Sequence, residues 1–243
     1  MGSGQVLDGR GVATVVIWGV IVSVQSLQRF RLVKGLAVVL LVLTLLLPAA
    51  AAERPVKIVA LGDSLSAGLG VGAEEAFPAK LERALRAKGH AVEVINAGVS
   101  GDTAAGGLAR LDWSVPDGTE AVILELGAND ALRGFDPAGT RDAIDQILQR
   151  LKARGVPVLL AGMRAPPNMG ADYARRFDAI FPELAQAHGV PLYPFFLDQV
   201  ASQAALNQRD GIHPTAAGID VIVRGILPKA EELVQTALQK RGR

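Results

Sequence analysis

The chain has 243 residues, is half hydrophobic, and carries 25 basic against 24 acidic side chains for a net charge of +1. That length and apolar content suffice for one α/β domain with a full core, and the near-zero charge removes any bulk electrostatic case for a nucleic-acid partner. There is no cysteine, which excludes disulfides, a thiol nucleophile, cysteine-based metal sites and a lipidated N-terminal cysteine.

The charge is unevenly placed. Arg10, Arg29, Arg31 and Lys34 against Asp8 give residues 1–52 an excess of three positive charges, leaving the remainder mildly acidic. Arg29, Arg31 and Lys34 precede an apolar stretch over 35–47, then Pro48 and four alanines, Ala49 to Ala52. This is the basic, apolar and small-residue order of a secretory signal, and the apolar stretch is shorter than the ~20 residues of a membrane span. The expected organisation is a leader over 1–52, cleaved near Ala51 or Ala52, and one folded domain over 53–243 in the periplasm or outside the cell. A second apolar run over 11–24 exceeds what a signal needs. A start downstream of Met1, for example at Val33, would account for it; so would an uncleaved anchor or a hairpin of two short spans.

Beyond the leader, short apolar runs alternate with helical patterns. Residues 57–61 read as a buried strand and 78–88 as a helix, with Pro78 near its start and Gly89 past its end. A second strand is expected over 91–96, and a helix over 103–111 with Asp102 as N-cap. Then follow a strand over 121–126, a long amphipathic helix over 137–154 and a strand over 157–161. A helix over 172–188, a short strand from 191 and a last helical stretch over 215–238, weakened at Gly225 and Pro228, complete the chain. Strands alternating with helices in this way predict a three-layer α/β/α doubly wound parallel sheet, flavodoxin-like in strand order. The longest aperiodic segment, 164–170, is a candidate active-site loop.

Four blocks carry chemistry: Gly62-Asp63-Ser64-Leu65, Gly101-Asp102-Thr103, Gly127-Ala128-Asn129-Asp130 and Asp210-Gly211-Ile212-His213-Pro214. The first three follow the first three predicted strands, and the fourth precedes the last helix. All can therefore meet at the rim beyond the strands' carboxyl ends, where open parallel sheets build their sites. Ser64 at a strand-to-helix turn can project its hydroxyl, which needs a base to become a nucleophile. His213 is the candidate base, with Asp210, three residues earlier, to orient it. The N–H groups of Ser64 and Gly101 and the side-chain amide of Asn129 are the candidate oxyanion donors. Together these parts suit acyl transfer.

These blocks resemble those of the SGNH, or GDSL, hydrolases. With 61–68, 107–110 and 132–135 added, the chain is similar to their periplasmic acyl-CoA thioesterase, protease and lysophospholipase subgroup, which includes arylesterases. The resemblance covers about residues 56–238. It implies a serine esterase with Ser64, Asp210 and His213 as triad, and Ser64, Gly101 and Asn129 as oxyanion hole. The expected substrates are small-molecule aryl or acyl esters, thioesters and membrane lysophospholipids. No cofactor, metal or obligate protein partner is implied. Segment 164–173 is less similar to the family, which leaves acyl chain length open. Candidate substrate-binding residues are Asp63, Leu65, Asp130, Arg164 and Pro166.

Plainer readings apply elsewhere. Asp63 can fix its own turn, and Asp130 can hold its loop. Arg110 and Arg133 suit inter-loop bonds better than a bound anion. His90 reads as solvent-exposed, and His188 suits a helix C-terminus. Gly68, Gly70 and Gly72 lack the lysine of a phosphate loop and read as a flexible rim. A carbohydrate O-deacetylase is the alternative within the same chemistry, and the apolar Ala165-Pro166-Pro167 leans against it. A non-catalytic binding module is the alternative from another class.

Overall fold

The strands are β1 (Val56–Gly62), β2 (Val92–Gly98), β3 (Ala121–Glu125) and β4 (Val158–Ala161), followed by a two-residue β5 (Leu192–Tyr193). Near-continuous apolar runs form the three inner strands, β1, β3 and β4, buried on both faces, while the edge strand β2 alternates buried Val92 and Val94 with more exposed positions. All pair in parallel in the order β2-β1-β3-β4-β5, the flavodoxin-like order expected. The computed structural model describes residues 54–242, together with the backbone of a two-strand antiparallel pair, Val16–Ile17 and Val20–Ile21. The chain divides into two compact units, 1–53 and 54–243. The expected cleavage points at Ala51 and Ala52 lie outside the described residues. Among the described residues no helix is long and apolar enough to cross a membrane.

In chain order the helices are α1 (Ser64–Ala67), α2 (Phe77–Ala87), α3 (Ala104–Ala109), α4 (Leu111–Ser114), α5 (Ala128–Leu132), α6 (Pro137–Ala153), α7 (Ala171–Asp178), α8 (Ile180–His188) and α9 (Ala216–Arg241). α2 packs against α9 on one face of the sheet, while α6 packs against α3 and α8 on the other. Lys80, almost wholly buried on α2, reaches the α9 carboxylate of Asp220 at 2.7 Å and the carbonyl of Ala216 at 3.0 Å. That cation ties the last helix to the layer behind the site.

Several local expectations need correction. The cap of α3 is Thr103, whose hydroxyl accepts from the Gly106 N–H at 3.1 Å. Asp102 is instead paired with Arg110 at 2.6 Å. The expected helix over 172–188 breaks at Ala179 into α7 and α8. The last helix runs unbroken through Gly225 and Pro228. Gly225 serves close packing, since a Cβ there would fall 2.3 Å from the Tyr193 hydroxyl. His90 is half-buried and meets Glu231 at 3.1 Å, and His188 meets Asp145 at 2.6 Å. His90 thus joins the end of α2 to α9 rather than facing open solvent, while His188 closes α8 as expected.

Candidate active site

β1 ends at Gly62, and the chain turns at once into α1, whose first residue is Ser64. The turn is held by Asp63, the N-cap, whose Oδ1 accepts from the Leu65 N–H at 2.9 Å. α1 lies so close to the sheet that a Cβ on Gly98 would fall 2.2 Å from the Ala67 nitrogen. Glycine at the end of β2 is therefore a packing requirement. Gly101 sits in the following turn with φ +82°, a left-handed value that favours glycine.

The fourth block closes on this turn from the other side of the chain. His213 Nε2 lies 2.9 Å from Ser64 Oγ, and its Nδ1 lies 2.7 Å from Asp210 Oδ2. The other carboxylate oxygen, Oδ1, accepts from the backbone N–H groups of Ile212 and His213 at 2.9 and 3.0 Å. Those backbone bonds and the His213 ring lower Asp210 from 3.8 to about 2, although it is exposed. Asp210 is thus an ionised acceptor that fixes the ring's orientation.

The oxyanion candidates converge as well. Among the described residues, the N–H groups of Ser64 and Gly101 donate to no other protein group. Asn129, in the first turn of α5, donates through Nδ2 to Asp63 Oδ2 at 3.1 Å and to the Asp102 carbonyl at 2.9 Å. Its amide therefore sits between the residue before Ser64 and the residue after Gly101. Both amide hydrogens are engaged, so a carbonyl oxygen bound here must share one of them. The Arg133 guanidinium donates to the Gly101 carbonyl at 2.8 Å and steadies that turn.

The remaining binding candidates fall into two groups. Asp63, Leu65 and Asp130 are buried. Asp130 accepts from the Ala104 N–H at 2.9 Å and the Thr140 hydroxyl at 3.1 Å, joining α5 to α3 and α6. These three shape the site from beneath. Arg164 is exposed with its guanidinium carbon 4.9 Å from the Phe195 ring centroid, and Pro166 is half-buried beside it in the loop after β4.

Three further residues support the site, two that the sequence did not single out and Arg110, for which inter-loop bonds were expected. Glu125, at the end of β3 and directly beside Gly62, is fully enclosed. Its Oε2 accepts from the Ser66 hydroxyl at 2.8 Å and the Asp63 N–H at 3.3 Å. Burial pushes Asp63 up from 3.8 to about 6, opposed by the Leu65 N–H, the Asn129 amide and the His213 charge. Burial and the neighbouring Asp63 charge push Glu125 well above the ordinary carboxylate range. Its Oε1 has no partner among the described residues, which a neutral acid tolerates far better than a carboxylate does.

Gln208 is the second. Its Nε2 donates to the Leu69 carbonyl at 2.7 Å and the Pro214 carbonyl at 3.0 Å, clipping the loop after Ser64 to the His213 turn. A Cβ on Gly70 would fall 2.1 Å from Gln208 Oε1, so this glycine-rich rim is closely packed against that side chain. Arg110 is the third, with bonds to Asp102 Oδ2, the Gly62 and Ala97 carbonyls and the Ser114 hydroxyl, all within 2.9 Å. A run of four blocks points to the groups at the rim. Supporting side chains 62 or 139 positions away leave no comparable local pattern. Among the described residues no three His, Asp or Glu side chains cluster as a metal site would require.

Residues 60–221 match the GDSL-like Lipase/Acylhydrolase family. The chain belongs to that family. It is 37% identical over 195 residues to Esterase TesA of Pseudomonas aeruginosa, covering 80% of this chain and 96% of that protein. It is 45% identical over 155 residues to Thioesterase 1/protease 1/lysophospholipase L1 of Escherichia coli K12, covering 63% and 73%. Among solved structures, AlinE4, an SGNH-hydrolase family esterase, superimposes with a TM-score of 0.64 at 47% identity, covering 75% of this chain and 98% of that one. A GDSL hydrolase of this kind acts on ester bonds.

Proposed function

We propose that this protein is an exported serine esterase that hydrolyses carboxylic esters and thioesters through an acyl-enzyme at Ser64. The observation that carries this reading is the unbroken relay from Asp210 through His213 to Ser64 Oγ, at 2.7 and 2.9 Å. His213 Nε2 takes the Ser64 proton as Oγ attacks the substrate carbonyl carbon. The resulting oxyanion is met by the N–H groups of Ser64 and Gly101 and by one hydrogen of the Asn129 amide. His213 then gives its proton to the leaving alcohol or thiol, and the C–O or C–S bond breaks. A water activated by the same ring attacks the acyl carbon, and Ser64 recovers its proton as the acid leaves.

Small acyl or aryl esters, acyl thioesters and lysophospholipids are the substrate classes, by similarity to the relatives' names. Export rests on the signal-like leader, with cleavage near Ala51 or Ala52 releasing a domain that begins near Glu53.

The test is hydrolysis of p-nitrophenyl esters of increasing chain length, an acyl-CoA and a lysophospholipid by the leader-free domain and its Ser64→Ala and His213→Ala variants. Each variant should lose ~10⁴–10⁶ in kcat with its circular dichroism intact. A folded Ser64→Ala protein with near-normal rates sinks the assignment. The mass of the secreted domain checks the cleavage point.

A further inference from the structure

The N–H groups of Asp63, Ser64, Leu65 and Ser66 open α1, where a helix leaves its N–H groups without internal partners. Three of these residues have found partners outside the helix ladder. The Leu65 N–H goes to Asp63 Oδ1 at 2.9 Å. The Asp63 N–H goes to Glu125 Oε2 at 3.3 Å, and the Ser66 N–H bears on the same carboxyl. The Ser66 hydroxyl adds a further donor to Oε2 at 2.8 Å. The Ser64 N–H is the one left over, and it is the one that the proposed oxyanion needs. Glu125 thus holds the chain before and after Ser64.

The first block makes room for this carboxyl. Gly62 pairs with Glu125 across the sheet, and a Cβ on Gly62 would fall 2.5 Å from Glu125 Oε2 and 2.1 Å from Ser66 Oγ. Any side chain at 62 would push both groups away from the turn. Glu125 is wholly enclosed, and its Oε1 has no partner among the described residues. Ionised, it would leave that oxygen unsolvated beside a second buried acid, Asp63. Asp63 has what a carboxylate needs, with the Leu65 N–H on Oδ1 and the Asn129 amide on Oδ2. His213 favours the Asp63 charge, and Asp102, itself paired with Arg110, opposes it. The same Arg110 donates to the Gly62 carbonyl at 2.8 Å. The pair of buried acids therefore carries one negative charge, on Asp63, and one proton, on Glu125.

We infer that Glu125 is a positioning residue for the proposed hydrolysis, an uncharged acceptor that sets the turn aiming the Ser64 hydroxyl and N–H and leaves the Asp63 charge to hold the Asn129 amide. The inference rests on the esterase reading and adds to it an acid that touches no reacting atom. A second carboxylate charge at 125 would repel Asp63 and loosen its grip on Asn129. A side chain without an acceptor would leave the Asp63 and Ser66 donors unpaired in an enclosed place and let the turn shift.

The experiment compares the parent protein with Glu125→Met and Glu125→Gln on a p-nitrophenyl ester, with reactive Ser64 counted by a fluorophosphonate so that kcat refers to folded sites. Glu125→Met fills the space without an acceptor and should lower kcat about ten- to hundred-fold, as a small misplacement does, with KM little changed. Glu125→Gln offers a carbonyl to the same donors and carries no charge, so it should recover most of that loss. The infrared spectrum at pH 8 should show the carbonyl band of a protonated carboxylic acid in the parent and lose it in Glu125→Gln. That arm needs only the conservative variant, so it decides the matter even where Glu125→Met does not fold. The proposal is overturned by an unchanged kcat in Glu125→Met, by Glu125→Gln falling as far as Glu125→Met, or by the absence of a protonated-acid band that depends on Glu125. Ser64→Ala is read alongside. Turnover lost there but unaffected by the Glu125 variants overturns this proposal alone, whereas turnover retained in Ser64→Ala overturns the esterase reading.

Discussion

Glu125 accepts the backbone N–H of Asp63 at 3.3 Å through a carboxyl group that is wholly enclosed, directly beneath the turn that presents Ser64. Both acids are raised, Asp63 to about 6 and Glu125 well above its ordinary range, with burial the main cause. A raised carboxyl favours the folded state while it is neutral. Its contribution is complete below the unfolded value and is lost as pH rises through the folded one. For Asp63 that window runs from about pH 4 to 6, and Glu125 extends it upward. Asp210, lowered to about 2, acts in the opposite sense, losing its contribution as pH falls from about 4 through 2. Glu125→Gln should therefore flatten the decline in melting temperature above pH 6 relative to the parent. Identical slopes for the two proteins would place the alkaline loss elsewhere.

The sequence-level reading reached the strand order, the rim and the four blocks because each rests on local pattern. Apolar runs mark the strands, and Ser64, Gly101 and Asn129 each follow one. It missed Glu125 because a glutamate ending an apolar run reads as a solvent-facing strand end. Only the pairing of Gly62 with Glu125 across the sheet brings that carboxyl under the Ser64 turn. Asp102 looked like a cap because it precedes a helical pattern; its partner Arg110 lies at the far end of α3, and Thr103 is available for the capping bond. Gly225 and Pro228 read as weak points within the last helical stretch, and α9 continues through Pro228 because Ile226 and Ala230 on either side are buried. Tertiary burial there outweighs the lost hydrogen bond.

Gln208 is expected to act as a positioning residue. Its two side-chain bonds join the Leu69 carbonyl to the Pro214 carbonyl, so it sets the approach of His213 to Ser64. Gln208→Leu removes both donors while keeping the bulk. Two such bonds contribute about 1–3 kcal/mol together. The expected outcome is a comparable loss in urea-denaturation stability and about ten-fold lower kcat, with KM little changed, since a small misplacement of the base is costly. Unchanged kcat would mean that the backbone bond from Gln208 N to the His213 carbonyl, at 2.7 Å, suffices to place the ring.

Arg110 ties the ends of β1 and β2 to α4 and to the Gly101 turn through Gly62, Ala97, Ser114 and Asp102. Its planar fork serves four acceptors in separate directions, which a lysine ammonium cannot reproduce. Arg110→Lys should cost about 2–4 kcal/mol, because Asp102 and two carbonyls lose donors in a mostly enclosed setting. Urea denaturation measures this. A loss under about 0.5 kcal/mol would show the network to be dispensable, as surface ion pairs commonly are.

Asn129 combines two duties that its variants can separate. Its amide holds Asp63 Oδ2 at 3.1 Å and the Asp102 carbonyl at 2.9 Å in the resting protein, and it is the proposed side-chain donor to the oxyanion. Asn129→Ala should lower kcat by ~10²–10³, the usual effect of losing one such donor. It should also lower stability by about 1–3 kcal/mol, since a buried acceptor on Asp63 is left without its partner. Asn129→Asp brings a carboxylate against Asp63 Oδ2, and repulsion should destabilise it further above pH 6. Steady-state kinetics beside thermal melts at two pH values separate the duties. A large stability loss with unaltered kcat would leave Asn129 a purely structural clamp between the Ser64 and Gly101 turns, with their two N–H groups as the whole oxyanion site.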